Sequence, residues 1–441
     1  MHTKEWNVKY SRRNAAIAIA GVAAFAVVAT GCQQTPGAGS DEKITLSITT
    51  FGTFGYDDLY TEYEAAHPNI TIEANNIDTG GNARTDLFTK LAAGDGLSDI
   101  VAIEEGWLGS IMEVSGEFND LRDFGIEDRK ADWVDWKYAS ATAPDGSVLG
   151  YGTDIGPEGL CYNGKLFEAA GLPGDRESVA ALFSENGGGW DQFFDVGRTY
   201  HAATGKAFYD QSGFVWNAMV NQLPEGYYTA DGELNVENNA DLRERWDLLA
   251  AGAADGLSAN LGQWDWNGGA AFVDGTFAVF VCPGWMLGVV QGNTEAGGGD
   301  ASTGWDFADV FPGGAGNWGG AWLSVPKSSE HAEAAAALAS WLTEPAQQVK
   351  QFDAAGTFPS TIAAQEELAA AGTPNEFFNG APVGALLAGR AQGVVAQFKG
   401  PDDSVIQENV FGPSRQSLDD GSADAETSWN AAIALLKELV G

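Results

Sequence analysis

Residues 44–104 read ITLSITTFGTFGYDDLYTEYEAAHPNITIEANNIDTGGNARTDLFTKLAAGDGLSDIVAIE, and this stretch decides the fold. Ile44, Leu46 and Ile48 alternate with polar residues, the period-two pattern of a half-buried strand. Residues 57–66 then carry Leu59, Tyr60 and Tyr63 on one helical face. His67-Pro68 ends that helix, because a residue before proline is driven out of the α region. Ile70-Thr71-Ile72 makes a second strand, and a second helix follows with Leu87, Phe88 and Leu91 on one side and Gly94 beyond its end. Residues 100–103 are continuously apolar, as expected of a strand covered on both faces. Strand, helix, strand, helix, strand with short connections predicts a parallel, doubly wound sheet.

The middle of the chain restarts this organisation. Strands are predicted at 148–151 and 159–162, flanking Gly152-Thr153-Asp154-Ile155-Gly156-Pro157, which is too glycine-rich to continue one rigid element. Helices are expected at 191–203 and at 241–251, with Leu242, Trp246 and Leu249 in register, and a strand at 277–282. Further helices run over 330–342 and, after Thr343-Glu344-Pro345, to about residue 353. A last one covers 425–440, with Trp429, Ile433, Leu436 and Val440 on its face. No fixed-period repeat occurs. Residues 292–320 are rich in glycine and carry tryptophan, which suits loops over a site.

Composition excludes several classes. The 441 residues hold 61 acids against 23 bases, a formal charge of -38, and so acidic a surface repels a phosphate backbone. No nucleic-acid partner is expected. Hydrophobic residues make up 44% and 15 residues are tryptophan, enough for large cores rather than disorder. Four scattered histidines and three cysteines give no metal-ligand spacing, and HExxH, CxxC and GxSxG are absent. No metal, cofactor or serine triad is expected. Residues 159–165 approximate a P-loop, but Leu166 stands where Ser or Thr would bind magnesium, and the segment reads as strand. Residues 314–319 fit GxGxxG without opening a helix.

Lys4, Lys9, Arg12 and Arg13 precede an apolar run over 15–30 that ends in Ala29-Thr30-Gly31-Cys32. This resembles a bacterial lipobox, with Ala29 where Leu is usual. The expectation is a signal peptide over 1–31, lipidation of Cys32, and a flexible tether over 32–42. The alternative is an uncleaved N-terminal anchor. Ser11-Arg12-Arg13 also resembles a twin-arginine signal, but Asn14-Ala15-Ala16 lacks the pattern that follows one, so Sec and twin-arginine export both stay open. Without residues 1–31 the chain has 19 bases and 60 acids, or -41, so acyl chains and not basic residues must hold it to the outer face of the cytoplasmic membrane. Cys161 and Cys282 then remain in an oxidising setting. Bridged, they close a loop of about 120 residues, worth roughly 4–5 kcal/mol in the chain-entropy model. Unbridged, they are two buried thiols.

Sugars present apolar faces ringed by hydroxyls, so a protein that binds them needs flat aromatic rings beside carboxylates and amides. Trp264-Asp265-Trp266-Asn267, Pro283-Gly284-Trp285-Met286 and Gly316-Asn317-Trp318-Gly319 have this character. Thr50-Phe51-Gly52-Thr53-Phe54-Gly55-Tyr56 follows the first strand, and Glu104, Glu105 and Trp107 follow the strand ending at Ile103. Both lie at carboxyl ends of strands, where open α/β sheets bind ligands. The candidate ligand residues are Phe54, Glu104, Trp107, Asp154, Trp216, Trp266, Trp285 and Trp318. Trp246, Trp341 and Trp429 lie on helical apolar faces and belong to packing.

Taken together, the chain resembles the family 1 extracellular solute-binding proteins of bacterial ABC sugar importers, over essentially all of its length after the leader. The resemblance rests on Tyr151 through Pro157 before a strand, and on Phe272-Val273-Asp274-Gly275-Thr276-Phe277-Ala278 leading to Pro283-Gly284-Trp285. It rests also on Gly319 through Lys327, and on residues 334–341 followed by Thr343-Glu344-Pro345. The Cys161/Cys282 pair and residues 316–320 most resemble members that capture cellobiose or cello-oligosaccharides. The resemblance implies an α/β fold of two lobes, each a mostly parallel sheet flanked by helices, joined by two or three crossing strands. The expected division is 43–152 plus about 300–345 for the first lobe, and 153–299 plus about 346–441 for the second. It implies a monomeric binding protein, not an enzyme, that delivers an oligosaccharide to the membrane subunits of a permease, with Glu104, Asp154, Trp285 and Trp318 lining the cleft. The competing readings are an exported glycoside hydrolase, since Trp-rich clefts with paired carboxylates serve that chemistry too, and a surface adhesion lipoprotein.

Overall fold

The computed structural model describes residues 43–441. The signal segment, Cys32 and the 32–42 tether lie outside the described residues. Among the described residues eight strands form two sheets. In the first lobe β1 (Ile44–Phe51) pairs in parallel with β2 (Ile70–Ile77) and β3 (Ile100–Glu104). The two connecting helices are Asp57–Ala66 and Gly80–Ala93. Thr79 caps the second by accepting a hydrogen bond from the Asn82 backbone, and Gly94, left-handed at φ 71°, ends it. Residues 44–104 thus form the parallel unit expected. The order is completed as β2-β1-β3-β8-β4 by β4 (Tyr151–Gly152) and β8 (Ala321–Ser324), with β8 antiparallel to both its neighbours.

The second sheet, β6-β5-β7, departs from expectation. Its strands β5 (Glu158–Asn163), β6 (Val279–Pro283) and β7 (Trp305–Ala308) are antiparallel throughout, not mostly parallel. The reason is directional. β5 carries the chain into this lobe and β7 carries it out, so as neighbours they run in opposite senses. The lobe boundary also moves. β7 pairs with β5, and Trp305, Phe307, Phe311 and Trp318 pack in the second core, so the chain returns to the first lobe at β8 and not near residue 300.

Each lobe has its own core. The first gathers Leu46, Ile48, Ile103, Trp322 and Leu338. The second is more aromatic, around Tyr162, Phe193, Trp216, Trp246 and Phe280. Within it the helix Ser212–Asn221 is buried at every position, which erases the amphipathic period by which sequence reading finds helices. Cys161 and Cys282 form a disulfide between β5 and β6, with Cα atoms 5.5 Å apart. Residues 153–157 and 309–320 cross between the lobes, and a third stretch runs beside them: Ile155 donates to the Phe358 carbonyl at 2.8 Å, and the Ser360 hydroxyl to that of Gly152 at 3.1 Å. Among the described residues no helix is long and apolar enough to cross a membrane, and no cluster of His, Cys, Asp or Glu is arranged to hold a metal ion.

Candidate functional site

The first wall of the candidate cleft is built where β1 and β3 end side by side. Phe54 lies edge-on to Phe51 at 5.1 Å and 5.3 Å from the Tyr56 ring, while Trp107 lies 6.3 Å from Phe51. Glu104 accepts a hydrogen bond from the Gly106 backbone at 2.9 Å, which starts the turn Glu105–Trp107. Trp107 Nε1 and the Tyr56 hydroxyl are buried without a hydrogen-bond partner among the described residues. Burial, and then the neighbouring charge of Glu105, raise the Glu104 pKa to about 8.

The second wall is aromatic. Trp318 stands edge-on to Trp285 at 5.5 Å and lies 5.5 Å from Phe214, and Trp285 Nε1 donates to the Trp318 carbonyl at 2.7 Å. Trp264, 6.2 Å from Trp285, extends this surface and is 43% exposed. It replaces the Trp266 expected here. Trp266 is only 2% exposed, stacks on Phe214 at 5.6 Å and donates to Asp210 at 2.9 Å, so it supports the surface from behind. Alternation would put residues 264 and 266 on one side, but left-handed backbone at Trp264, Trp266 and Asn267 breaks it. Trp216 is not brought to the cleft at all. It is fully buried among Trp246 and Phe411 and donates to the Tyr227 hydroxyl at 3.0 Å, so it is a core residue.

Polar groups lie buried along the crossing segments. Asp154 lies in the first crossing segment, where its Oδ1 accepts from the Thr153 hydroxyl at 2.6 Å and the Ala321 backbone at 3.0 Å. Lys137 is wholly buried beneath it, its ammonium 3.3 Å from the Trp322 ring centre; burial lowers its pKa to about 8 against the pull of Asp154 and Glu105. Glu158, at the start of β5, is fully buried with neither carboxylate oxygen hydrogen-bonded among the described residues. Burial holds its pKa well above the ordinary value, with Arg390 pulling the other way. Sequence reading missed Lys137 and Glu158, whose only signal is a charge beside apolar neighbours. Glu158, Trp107 and Tyr56 are thus left with unfilled hydrogen-bonding capacity among the described residues.

These carboxylates set a pH dependence. Asp403, Asp210 and Glu104 have pKa values raised by burial to about 6, 7 and 8. A carboxyl with a raised folded pKa binds its proton more tightly folded than unfolded, so its stabilising share is complete near pH 4 and is lost as pH rises through the folded value. The lowered carboxyls, such as Asp99 and Asp120, act below that window. Lys137, lowered to about 8, returns stability only from pH 8 towards 10. The melting temperature at constant ionic strength should therefore be higher at pH 5 than at pH 8, and Glu104→Gln should flatten the slope above pH 6. Equal melting at both pH values would refute the raised pKa values of these groups.

Comparisons with known proteins follow the same lines. A family model described as bacterial extracellular solute-binding protein matches residues 58–376. A crystal structure described as an extracellular solute-binding protein family 1 is 43% identical, with a TM-score of 0.78 over 90% of this chain and 99% of that one. The same fold recurs at 20% identity and TM-score 0.76 in an ABC transporter associated binding protein from B. animalis subsp. lactis Bl-04, solved with beta-1,6-galactobiose, over 90% of this chain and 97% of that one. It recurs at 19% identity and TM-score 0.70 in the galacto-N-biose-/lacto-N-biose I-binding protein from Bifidobacterium longum, over 90% and 98%. Comparison with curated protein sequences finds no match. Matched over most of its length by the family model and at 43% identity by a solved member, the chain belongs to the bacterial extracellular solute-binding proteins.

Proposed function

We propose that this protein is the extracellular receptor of an ABC sugar importer, capturing a neutral oligosaccharide between its lobes and presenting it to the permease. The family is one of solute-binding proteins and not of enzymes. The observation that carries the sugar reading is the cluster of Trp264, Trp285 and Trp318 beside the crossing segments, where the buried Glu158 carboxyl is left without a hydrogen-bond partner among the described residues. Stacking supplies the apolar share of binding and the polar groups select hydroxyl orientation. Hinge closure about residues 153–157 and 309–320 encloses the ligand. Two structures of the same fold, those with beta-1,6-galactobiose and lacto-N-biose, agree with a disaccharide or longer sugar.

Cellobiose or a cello-oligosaccharide is the ligand we favour, on the resemblance carried by the Cys161/Cys282 pair and residues 316–320. We place the protein as a monomer, tethered to the outer face of the cytoplasmic membrane by lipid on Cys32. A thermal-shift screen of the full chain against cello-, xylo-, malto- and chito-oligosaccharides tests this. A ligand at 100 times its Kd adds about 2.7 kcal/mol, readily seen as a rise in melting temperature. The largest rise is expected with the cello series. A rise with another series alone would overturn the choice of sugar, and none with any would overturn the sugar reading.

A further inference from the structure

We infer that Glu105 is a positioning residue of the cleft: from the turn that follows β3 in the first lobe, its carboxylate holds the 317–320 crossing segment so that Trp318 stands at one fixed place in the aromatic wall. The inference rests on the ligand reading above. Glu104 ends β3 and Glu105 opens the turn that follows, and their carboxylates take different partners. Among the described residues the Glu104 carboxylate bonds only its own turn, at Gly106. Glu105, 8% exposed, is spent within the protein: its Oε1 accepts from Asn317 Nδ2 at 3.1 Å and its Oε2 from the Gly319 backbone at 2.9 Å. Its own backbone N–H donates to the Gly320 carbonyl at 2.9 Å. One residue of the first lobe thus makes three hydrogen bonds to the segment that carries Trp318.

The constraint passes onward. Asn317 Oδ1 accepts from the Gly156 backbone at 2.8 Å, and Trp318 N–H donates to the Gly156 carbonyl at 2.8 Å, fastening the two crossing segments together. Trp285 completes the set from the second lobe through its bond to the Trp318 carbonyl. Only glycine permits so close an approach: a Cβ on Gly156 would stand 1.8 Å from the Trp318 carbonyl oxygen, and Gly319 and Gly320 have φ of 83° and 105°. A charged acceptor with two good donors is among the stronger hydrogen-bonding arrangements. Gln at 105 keeps an acceptor for Gly319 but sets an NH2 group against that of Asn317, which cannot turn over without giving up Gly156. Ala loses both bonds.

The test has one arm without ligand and one with it. The near-ultraviolet circular dichroism that distinguishes wild type from Trp318→Phe reports the setting of the Trp318 ring. Glu105→Gln should diminish that signal and Glu105→Ala abolish more of it. Using whichever sugar gives the largest thermal shift with wild type, Glu105→Gln should bind about 10-fold more weakly, the equivalent of one charged hydrogen bond. Its melting temperature should change little. A wild-type signal and affinity in Glu105→Gln would overturn the proposal, as would a lowered melting temperature with the signal unchanged, which is what a merely structural role gives. Should Glu105→Ala fail to fold, Glu105→Gln decides alone. Should no sugar bind wild type, the ligand reading fails, while the dichroism still decides on Glu105.

Discussion

Removing the Cys161–Cys282 disulfide should cost about 5 kcal/mol of stability, a larger loss than any single substitution in the cleft should cause. The two cysteines are 121 residues apart in sequence, so the bond constrains a long loop of the unfolded chain. Both are fully buried, on β5 and β6, and the loop between them contributes much of the second core, including Phe193, Trp216 and Trp246. Cys161→Ala/Cys282→Ala leaves no polar group unpaired and should lower the melting temperature strongly by scanning calorimetry, with reductant having little further effect. In wild type, reductant should reproduce the drop once it gains access to the bond. Because the first core contains neither cysteine, a separate and less affected transition of that lobe is the accompanying expectation. An unchanged melting temperature in the double variant would contradict the account.

Trp285→Ala should weaken sugar binding by about 30-fold, equivalent to about 2 kcal/mol for a central aromatic anchor. Trp285 is half-buried, so the loss falls on the ligand surface and, through the freed Trp318 carbonyl, on the setting of Trp318. The contrast is Trp216→Ala. That ring is fully buried in the core, and its loss should cost about 3–5 kcal/mol of stability by leaving a cavity. Calorimetric titration beside thermal melting separates the two: affinity lost with stability largely kept at 285, the reverse at 216. Wild-type affinity in Trp285→Ala would remove this residue from the cleft.

Much of the fold was legible in the residues themselves. Local periodicity was enough for β1 through β3 and their helices, because neighbours in sequence there are neighbours in space. It failed for Ser212–Asn221, where burial on all sides leaves no polar face to set a period. It failed for the second sheet, because strand direction there follows from how the chain enters and leaves a lobe, a long-range property. In the cleft, tryptophan beside glycine pointed to Trp285 and Trp318, which the structure places in contact. Tryptophan beside Asp265 and Asn267 misled at Trp266, where backbone of positive φ turned Trp264 outward instead. Glu158 gave only the faint sign of a charge beside apolar neighbours, since a carboxylate at the head of a buried strand is notable only once its surroundings are known.

Capture of an oligosaccharide in the tryptophan-lined cleft, without altering it, is tested most directly by a calorimetric titration of the full chain with the sugar giving the largest thermal shift, followed by chromatography of the sugar recovered. One saturable site per chain and intact sugar are predicted, with binding lost in Trp285→Ala/Trp318→Ala. Binding retained in that double variant, or shortened sugar in the recovered pool, would contradict it.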